Sequence, residues 1–328
     1  MSDVKIGCFG LSGHQIHGSV TGLERARLTA FGGIDEEAFE KLKETRPEAM
    51  EGVDYFGGLE GLLDTDVDLV SFCSQRRADQ AAQCVQALDA GKHVLAEKPM
   101  ATCREDLNAL REAAERSGKN LWTMTSMVYY PSVRGIKQIL DSGALGTVVQ
   151  FYCMKSYPYH DRRPQDRGID GGIIQAAIHA ISCIGHLTGK RFVEVFAQDT
   201  NRGNPKEGEF QMAMGMTARL EDGTLANIIA NYCNPRSIGY HGNDQIRIHG
   251  TNGMLELVDG ATRRSLVLVE QEPTTFEDDE SDPKYPQDLI DAILDGTPTL
   301  LTQEAGFHYT EVALSAQESA TSGGPVSI

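Results

Sequence analysis

The chain lacks a cysteine framework. Its seven cysteines are an odd number, none falls in a C-x-x-C pair, and no histidine–cysteine cluster accompanies them. Cys8, Cys73, Cys153 and Cys233 lie in apolar, strand-like stretches. These absences exclude a disulfide-stapled secreted domain and a structural zinc centre. They predict buried free thiols in a reducing cytoplasm, with no bound metal. No run of about 18 apolar residues is present, which argues against a membrane span. The sequence enters an apolar strand at Val4, so no signal peptide is expected. Positive charge is scarce: 30 Lys and Arg stand against 47 Asp and Glu, a formal net charge of −17. A surface of that sign repels nucleic acid and anionic membranes. The acidity is densest in residues 270–282, which read as a solvated loop.

What is present is a globular chain of 328 residues, 40% hydrophobic and 7% aromatic, long enough for two domains with sizeable cores. Strands are expected at 4–9, 28–31, 67–73, 93–96 and 121–125. Helices are expected at 35–45, from the seventies to Ala90, and from Thr102, with Glu105 completing a capping box, to about Arg116. Alternating strands and helices imply a parallel, doubly wound sheet. Past residue 125 the rhythm changes. A helix at 133–140 precedes strand-like segments at 147–154, 192–198, 210–220, 225–233, 245–249 and 254–258, and helices near 287–294 and 303–319 close the chain. The expected organisation is a Rossmann domain over 1–125. An α+β domain over 126–328 follows, with a mixed or antiparallel sheet.

The stretch Lys92 to Met100, K-H-V-L-A-E-K-P-M, carries the sharpest signal. A four-residue buried strand ends abruptly in Glu97-Lys98-Pro99. A lysine at the carboxyl end of such a strand points into the crevice where open α/β sheets bind ligands. After the first strand, Gly10-Leu11-Ser12-Gly13-His14-Gln15 approximates G-x-G-x-x-G, with Ser12 and Gln15 at the second and third glycine positions. Alone it reads equally as an ordinary strand-to-helix turn. At the head of a βαβ alternation it suits backbone approach to a pyrophosphate at a helix N-terminus. The second strand ends in Gly33, which has no carboxylate, and Asp35 stands two residues on as the ribose candidate. No Arg or Lys is there for a 2′-phosphate, which favours NAD over NADP.

In the stretch 171–188, Gln175, His179, Ser182 and His186 recur at i, i+4, i+7 and i+11 on an otherwise apolar helix. A helix that apolar is buried, so its polar stripe lines a cavity. His186 reads as structural, and His179, one turn from Gln175, as functional. The loop 157–170, with His160, Arg162, Arg163 and Arg167, reads either as a substrate contact for hydroxyls or a carboxylate, or as a solvated oligomer contact. Asn234, Tyr240 and His241 form a weaker set.

Four segments carry a family resemblance: Ala90 to Ala101 (A-G-K-H-V-L-A-E-K-P-M-A), Leu140 to Val148, the G-G-x-x-Q-x-x-I-H helix, and Y-P-Q-D-L-I-D-A-I-L-D-G-T-P near the end. Through them the chain resembles the glucose–fructose oxidoreductase / inositol dehydrogenase / rhizopine-catabolism (Gfo/Idh/MocA) family over nearly its whole length. The resemblance implies hydride transfer between NAD(P) and a hydroxyl carbon of a sugar, polyol, inositol or related compound. It implies that the sheet of the second domain is large and open, serves substrate binding and forms a homodimer or homotetramer. It places the catalytic lysine on Lys98 and the catalytic histidine on His179. Gln175 falls where relatives often carry aspartate. The implied cofactor residues are Gly10, Ser12, Gly13, His14, Gln15, Asp35, Ser74, Glu97 and Lys98. The implied substrate residues are Lys98, His160, Arg162, Gln175 and His179. A cis peptide before Pro99 is also implied. Two departures stand out: Ser74-Gln75-Arg76-Arg77 replaces a proline-containing loop, and Val128 stands where arginine is frequent. A non-catalytic NAD(P)-binding regulator of the same fold is the alternative.

Overall fold

The computed structural model describes residues 3–159, 163–281 and 285–328. Short apolar runs punctuated by glycine make the first half. In chain order it contains β1 (Val4–Phe9), β2 (Ala26–Gly32), α1 (Glu36–Thr45), β3 (Asp54–Phe56), α2 (Leu59–Leu63), β4 (Leu69–Phe72), α3 (Arg77–Asp89), β5 (His93–Ala96), α4 (Arg104–Ser117) and β6 (Leu121–Thr123). The six strands are parallel, in the order β3-β2-β1-β4-β5-β6. β4 (L-V-S-F) is buried throughout, as in a sheet covered on both faces. The winding reverses between β1 and β4, and ligands bind such sheets beyond the carboxyl ends of the strands at that reversal. This is the parallel, doubly wound sheet the alternation predicted, and the Rossmann sheet the resemblance implies.

The chain continues with α5 (Pro131–Asp141), β7 (Val148–Ser156), α6 (Arg167–Asp170), α7 (Ile174–Thr188), β8 (Phe192–Thr200), β9 (Ala213–Leu220), β10 (Leu225–Asn231), β11 (Gln245–Gly250), β12 (Gly253–Val258), β13 (Arg263–Leu268), α8 (Gln287–Asp295), α9 (Gln303–Ser322) and β14 (Val326–Ser327). The second sheet has eight strands in the order β13-β12-β11-β7-β10-β9-β8-β14. It is mixed, because β7 and β10 pair in parallel while the neighbouring pairs are antiparallel. α7 packs on β7 and β10 and is buried almost throughout. The stretch Arg167–Thr188 is apolar enough to span a bilayer, with a mean hydropathy of 1.2, but most of it is buried as a core helix.

The chain forms two compact units. The first takes in the described residues to Met124, Gly168–Asp170, and the described part of 283–307. The sequence reading gave everything past 125 to the second domain. Instead, Leu289 and Ile290 of α8 enter the core of the first sheet with Ile6, Phe31 and Trp122. Arg25, just before β2, pairs with Asp291 and Asp295 of the same helix. The apolar stripe of α8 found a partner that periodicity cannot name.

Other expectations shift. The fourth helix starts at Arg104 with Cys103 at its N-cap, so Thr102 caps nothing and Glu105 falls in the first turn. β13 begins with two arginines, which hid it as a strand. The acidic segment is anchored rather than simply solvated: Phe276 is buried, Arg264 pairs with Asp278, and Arg134 donates to the carbonyls of Asp279 and Ser281.

Ile290→Ala is expected to destabilise the first unit by about 2–5 kcal/mol, the range for truncating a buried aliphatic side chain. Trp122, the single tryptophan, lies in the same core, so its fluorescence during denaturant unfolding reads that unit directly. A loss below about 1 kcal/mol would remove α8 from this core.

Candidate active site

β5 delivers two buried charges to the carboxyl edge of the first sheet. Glu97 is 1% exposed and Lys98 3%. The lysine Nζ lies 3.6 Å from Glu97 Oε1. The glycine loop closes on the same carboxylate. The His14 backbone N–H donates to Glu97 Oε2 at 2.9 Å, and His14 Nδ1 lies 2.9 Å from Oε1. Burial alone would raise the Glu97 carboxyl. The His14 hydrogen bond and the charges of Lys98, His14 and Arg77 outweigh it and hold the group at about 2. Gly13 permits this approach, since a Cβ there would lie 2.6 Å from the Glu97 carboxyl carbon. The Lys98–Pro99 peptide is cis, as the resemblance implies. Gln80 Nε2 donates to the Glu97 carbonyl at 2.7 Å and fixes the backbone.

The loop itself departs from the expectation in one respect. It runs into two 3₁₀ turns, Ile16–Gly18 and Val20–Gly22, so no α-helix begins there to present its N-terminus to a pyrophosphate. Its amides are largely engaged: Gly10 to Gly32 O, Ser12 to Cys73 O, Gly13 to Leu11 O, and His14 to Glu97. Gln15 braces the loop, donating to the carbonyls of Gly10 and Ser71 and accepting from Ile16 N–H and Ser71 Oγ. Ser74 Oγ donates to Gln83 at 2.5 Å. Asp35 caps α1, accepting from Ala38 N–H at 2.7 Å. A carboxylate at position 33 is sterically barred, because a Cβ there would sit 2.9 Å from Gly10 N and from the Phe9 ring. Gly10, at φ +77°, would place a Cβ 2.2 Å from Cys73 O. The ends of β1 and β2 are thus kept bare of side chains at Gly10 and Gly33, and a dinucleotide fits such a surface. Arg77 escaped the sequence reading as a site residue. It is buried, and its Nη2 donates to Ser12 O at 2.8 Å, pinning the loop from α3.

In the second unit, α7 holds the polar stripe as its spacing predicted. Gln175, His179 and Ser182 are all buried. Gln175 Nε2 donates to Tyr232 Oη at 2.8 Å, and Ser182 Oγ donates to His179 O at 3.0 Å. His186 is half-buried. Burial, with the nearby Lys137 charge, lowers its imidazole to about 4 against the opposing pull of Asp141, which suits the structural role expected of it. Tyr232 is fully buried against Phe210, with the Arg163 guanidinium 4.2 Å from its ring centroid. Lys155 and Asp244, 2.6 Å apart, form a buried ion pair that no local spacing announced. His160 and Arg162 lie outside the described residues. Among the described residues, no group of three or more His, Cys, Asp or Glu is placed to hold a metal.

Two family models match the chain. Residues 4–125 match one described as an oxidoreductase family with an NAD-binding Rossmann fold, and residues 133–256 match the Gfo/Idh/MocA C-terminal domain. The chain belongs to the Gfo/Idh/MocA oxidoreductase family. It is 24% identical over 278 residues to the uncharacterized oxidoreductase YrbE of Bacillus subtilis, covering 81% of this chain and 80% of that one. It is 28% identical over 225 residues to inositol 2-dehydrogenase 2 of Saccharopolyspora erythraea, covering 68% of this chain and 64% of that one. Its fold matches an oxidoreductase from Thermotoga maritima with a TM-score of 0.89 at 26% identity, over 99% of this chain and 100% of that one. Within this family the first unit is the NAD-binding domain.

Glu97 offers a pH-dependent test. Its carboxyl is lower in the folded protein than the ordinary 4.5, so the stabilisation it gives is present above about pH 4.5 and is lost as pH falls through about 2. Glu97→Gln is expected to lower unfolding free energy at pH 7 by roughly 3 kcal/mol, with less than half that gap left near pH 3. Denaturant titrations of both proteins at the two pH values decide it, and a gap that does not change with pH would rule out an ionised, paired Glu97.

Proposed function

We propose that the protein is an NAD-dependent dehydrogenase or reductase acting on a hydroxyl carbon of a sugar, polyol, inositol or related compound. The carrying observation is the buried Glu97–Lys98 pair at the strand end of an NAD-binding family domain, locked to the glycine loop by His14. Bound nicotinamide supplies the hydride acceptor or donor. In the oxidative direction the substrate C–H leaves as hydride and the O–H proton passes to His179, giving a carbonyl. Imidazole suits proton transfer near neutral pH. Lys98 steadies the developing alkoxide, and Gln175, which cannot titrate, orients by hydrogen bonding. The proposed cofactor contacts are the Gly10–Gln15 loop with Ser12, Asp35, Ser74, Glu97 and Lys98. The absence of a cation beside Asp35 on the sequence favours NAD over NADP.

α7 covers one face of the second sheet. The other carries Phe196, Leu225 and half-buried Tyr152, Met154 and Ile229. These apolar residues, on a face that also carries Asn227, Thr217 and the Arg247–Glu256 pair, support assembly as a homodimer or homotetramer. The seven free cysteines, five of them buried, support a reducing, cytoplasmic setting.

Lys98→Ala and His179→Ala are each expected to lower kcat about 10²–10⁴-fold, with NAD binding preserved in His179→Ala and weakened in Lys98→Ala, a proposed cofactor contact. Nicotinamide absorbance with a panel of sugars, inositols and sugar acids provides the assay. Activity within about tenfold of wild type in either variant would sink the assignment. Tight NAD binding with no turnover on any substrate would make the protein a regulator instead.

A further inference from the structure

The second unit holds a polar cluster that the catalytic assignment does not use. Lys155, at the end of β7, is 3% exposed and pairs with Asp244 at 2.6 Å. Burial would lower the Lys155 ammonium, but neighbouring Tyr157, Asp244 and Tyr130 outweigh it and push it up, so the lysine stays charged. Lys155 Nζ also lies 5.1 Å from the Tyr157 ring centroid and 5.9 Å from that of Tyr130. Asn234, 5% exposed, donates through Nδ2 to the carbonyls of Tyr240 and His241, holding the segment that carries Gly242 and Asp244. Asn243 N–H donates to Ser156 O, beside Lys155.

Three buried oxygens on these adjoining segments have no hydrogen-bond partner among the described residues: Asn234 Oδ1, Asn243 Oδ1 and Asp244 Oδ1. Buried acceptors without donors are costly and rare. All three ask for a donor. Gly242 lies beside Asp244 Oδ1 and the ion pair, and puts no side chain over them. A Cβ at that position would have Asp244 Oδ1 at 3.4 Å and Lys155 Nζ at 3.6 Å as its nearest neighbours, ordinary contact distances.

We propose that Asp244, Lys155 and Asn234, reached past Gly242, form a recognition subsite for the hydroxyls of an uncharged polyol or sugar, and that it disfavours acidic and phosphorylated sugars. Hydroxyls donate to the waiting oxygens, whereas a carboxylate or phosphate brings only further acceptors against Asp244. Among the described residues, the Arg163 guanidinium lies over the Tyr232 and Tyr157 rings. The proposal rests on the dehydrogenase reading for the identity of its ligand as substrate, not for binding itself.

The test is calorimetric binding to the protein with NAD present. The neutral probes are myo-inositol, D-glucose and levoglucosan; the anionic ones are D-glucuronate and glucose 6-phosphate. At least one neutral probe is expected to bind saturably and about tenfold or more tighter than both anionic probes. Gly242→Ala covers the ion pair without a clash and is expected to weaken that binding about tenfold or more with an unchanged unfolding midpoint. Asp244→Asn is expected to weaken it about ten- to hundredfold, the scale of a hydrogen bond to a charged group. Tighter binding of an anionic probe, binding to Gly242→Ala within about twofold of wild type, or no saturable binding of any neutral probe (the oxygens then being met by water only) would overturn the subsite. Nicotinamide absorbance on the same samples separates the two readings. Binding without hydride transfer removes the dehydrogenase and leaves the subsite, while undiminished transfer by Gly242→Ala does the reverse.

Discussion

One buried carboxylate organises the first unit. Glu97 has no water to stabilise its charge, so the protein must surround it with cations and donors or lose it to protonation. It does so from three directions. His14 comes from the glycine loop, Lys98 is the next residue, and Arg77 reaches in from the start of α3. Each partner is thereby fixed as firmly as the carboxylate it serves. The loop lies flat on the strand ends because Gly13 leaves room for Glu97, and Arg77 ties the loop carbonyl at Ser12. The cofactor-side loop and the proposed catalytic lysine therefore share a common support. A change at one is transmitted to the other through a carboxylate that cannot move without exposing its charge.

The second unit solves a different problem with similar means. α7 is so thoroughly buried that its polar residues must find partners inside the protein. The helix is enclosed tightly: a Cβ at Gly185 would lie 2.3 Å from the Tyr309 ring of α9. Gln175 finds Tyr232, which is itself packed by Phe210 and Arg163. Rigid aromatic packing of this kind holds a polar group in one place without requiring it to be charged. The Lys155–Asp244 pair adds charge to the same unit, and its unmet oxygens distinguish it from a purely structural bridge.

The two residues proposed for catalysis were legible in the sequence because each breaks a local pattern. Lys98 interrupts an apolar strand, and His179 sits on a polar stripe at helical spacing. The Rossmann alternation was legible for the same reason. What escaped depends on distance along the chain. Lys155 and Asp244 are 89 residues apart, and Arg77 meets the loop 65 residues back. α8 has an unmistakable apolar stripe, but periodicity does not say which core receives it. The 3₁₀ turns after Gln15 carry nothing in their composition that separates them from a short helix. The missing carboxylate at Gly33 is the instructive case. It looked like a defect in the ribose-binding pattern, and it is a steric requirement set by Gly10 and Phe9.

Gln175 sharpens what the second unit contributes to the proposed chemistry. A carboxylate there would accept from Tyr232 Oη and stand as a second base one turn from His179. The amide instead donates to Tyr232 Oη. The phenol oxygen is then an acceptor, and its own proton is directed elsewhere. With glutamine at 175, His179 is the only titratable group on its stripe besides the structural His186. The amide at 175 thus belongs with its packing. In the proposed mechanism it leaves proton acceptance to one residue and gives Lys98 the work of stabilising negative charge on the substrate oxygen.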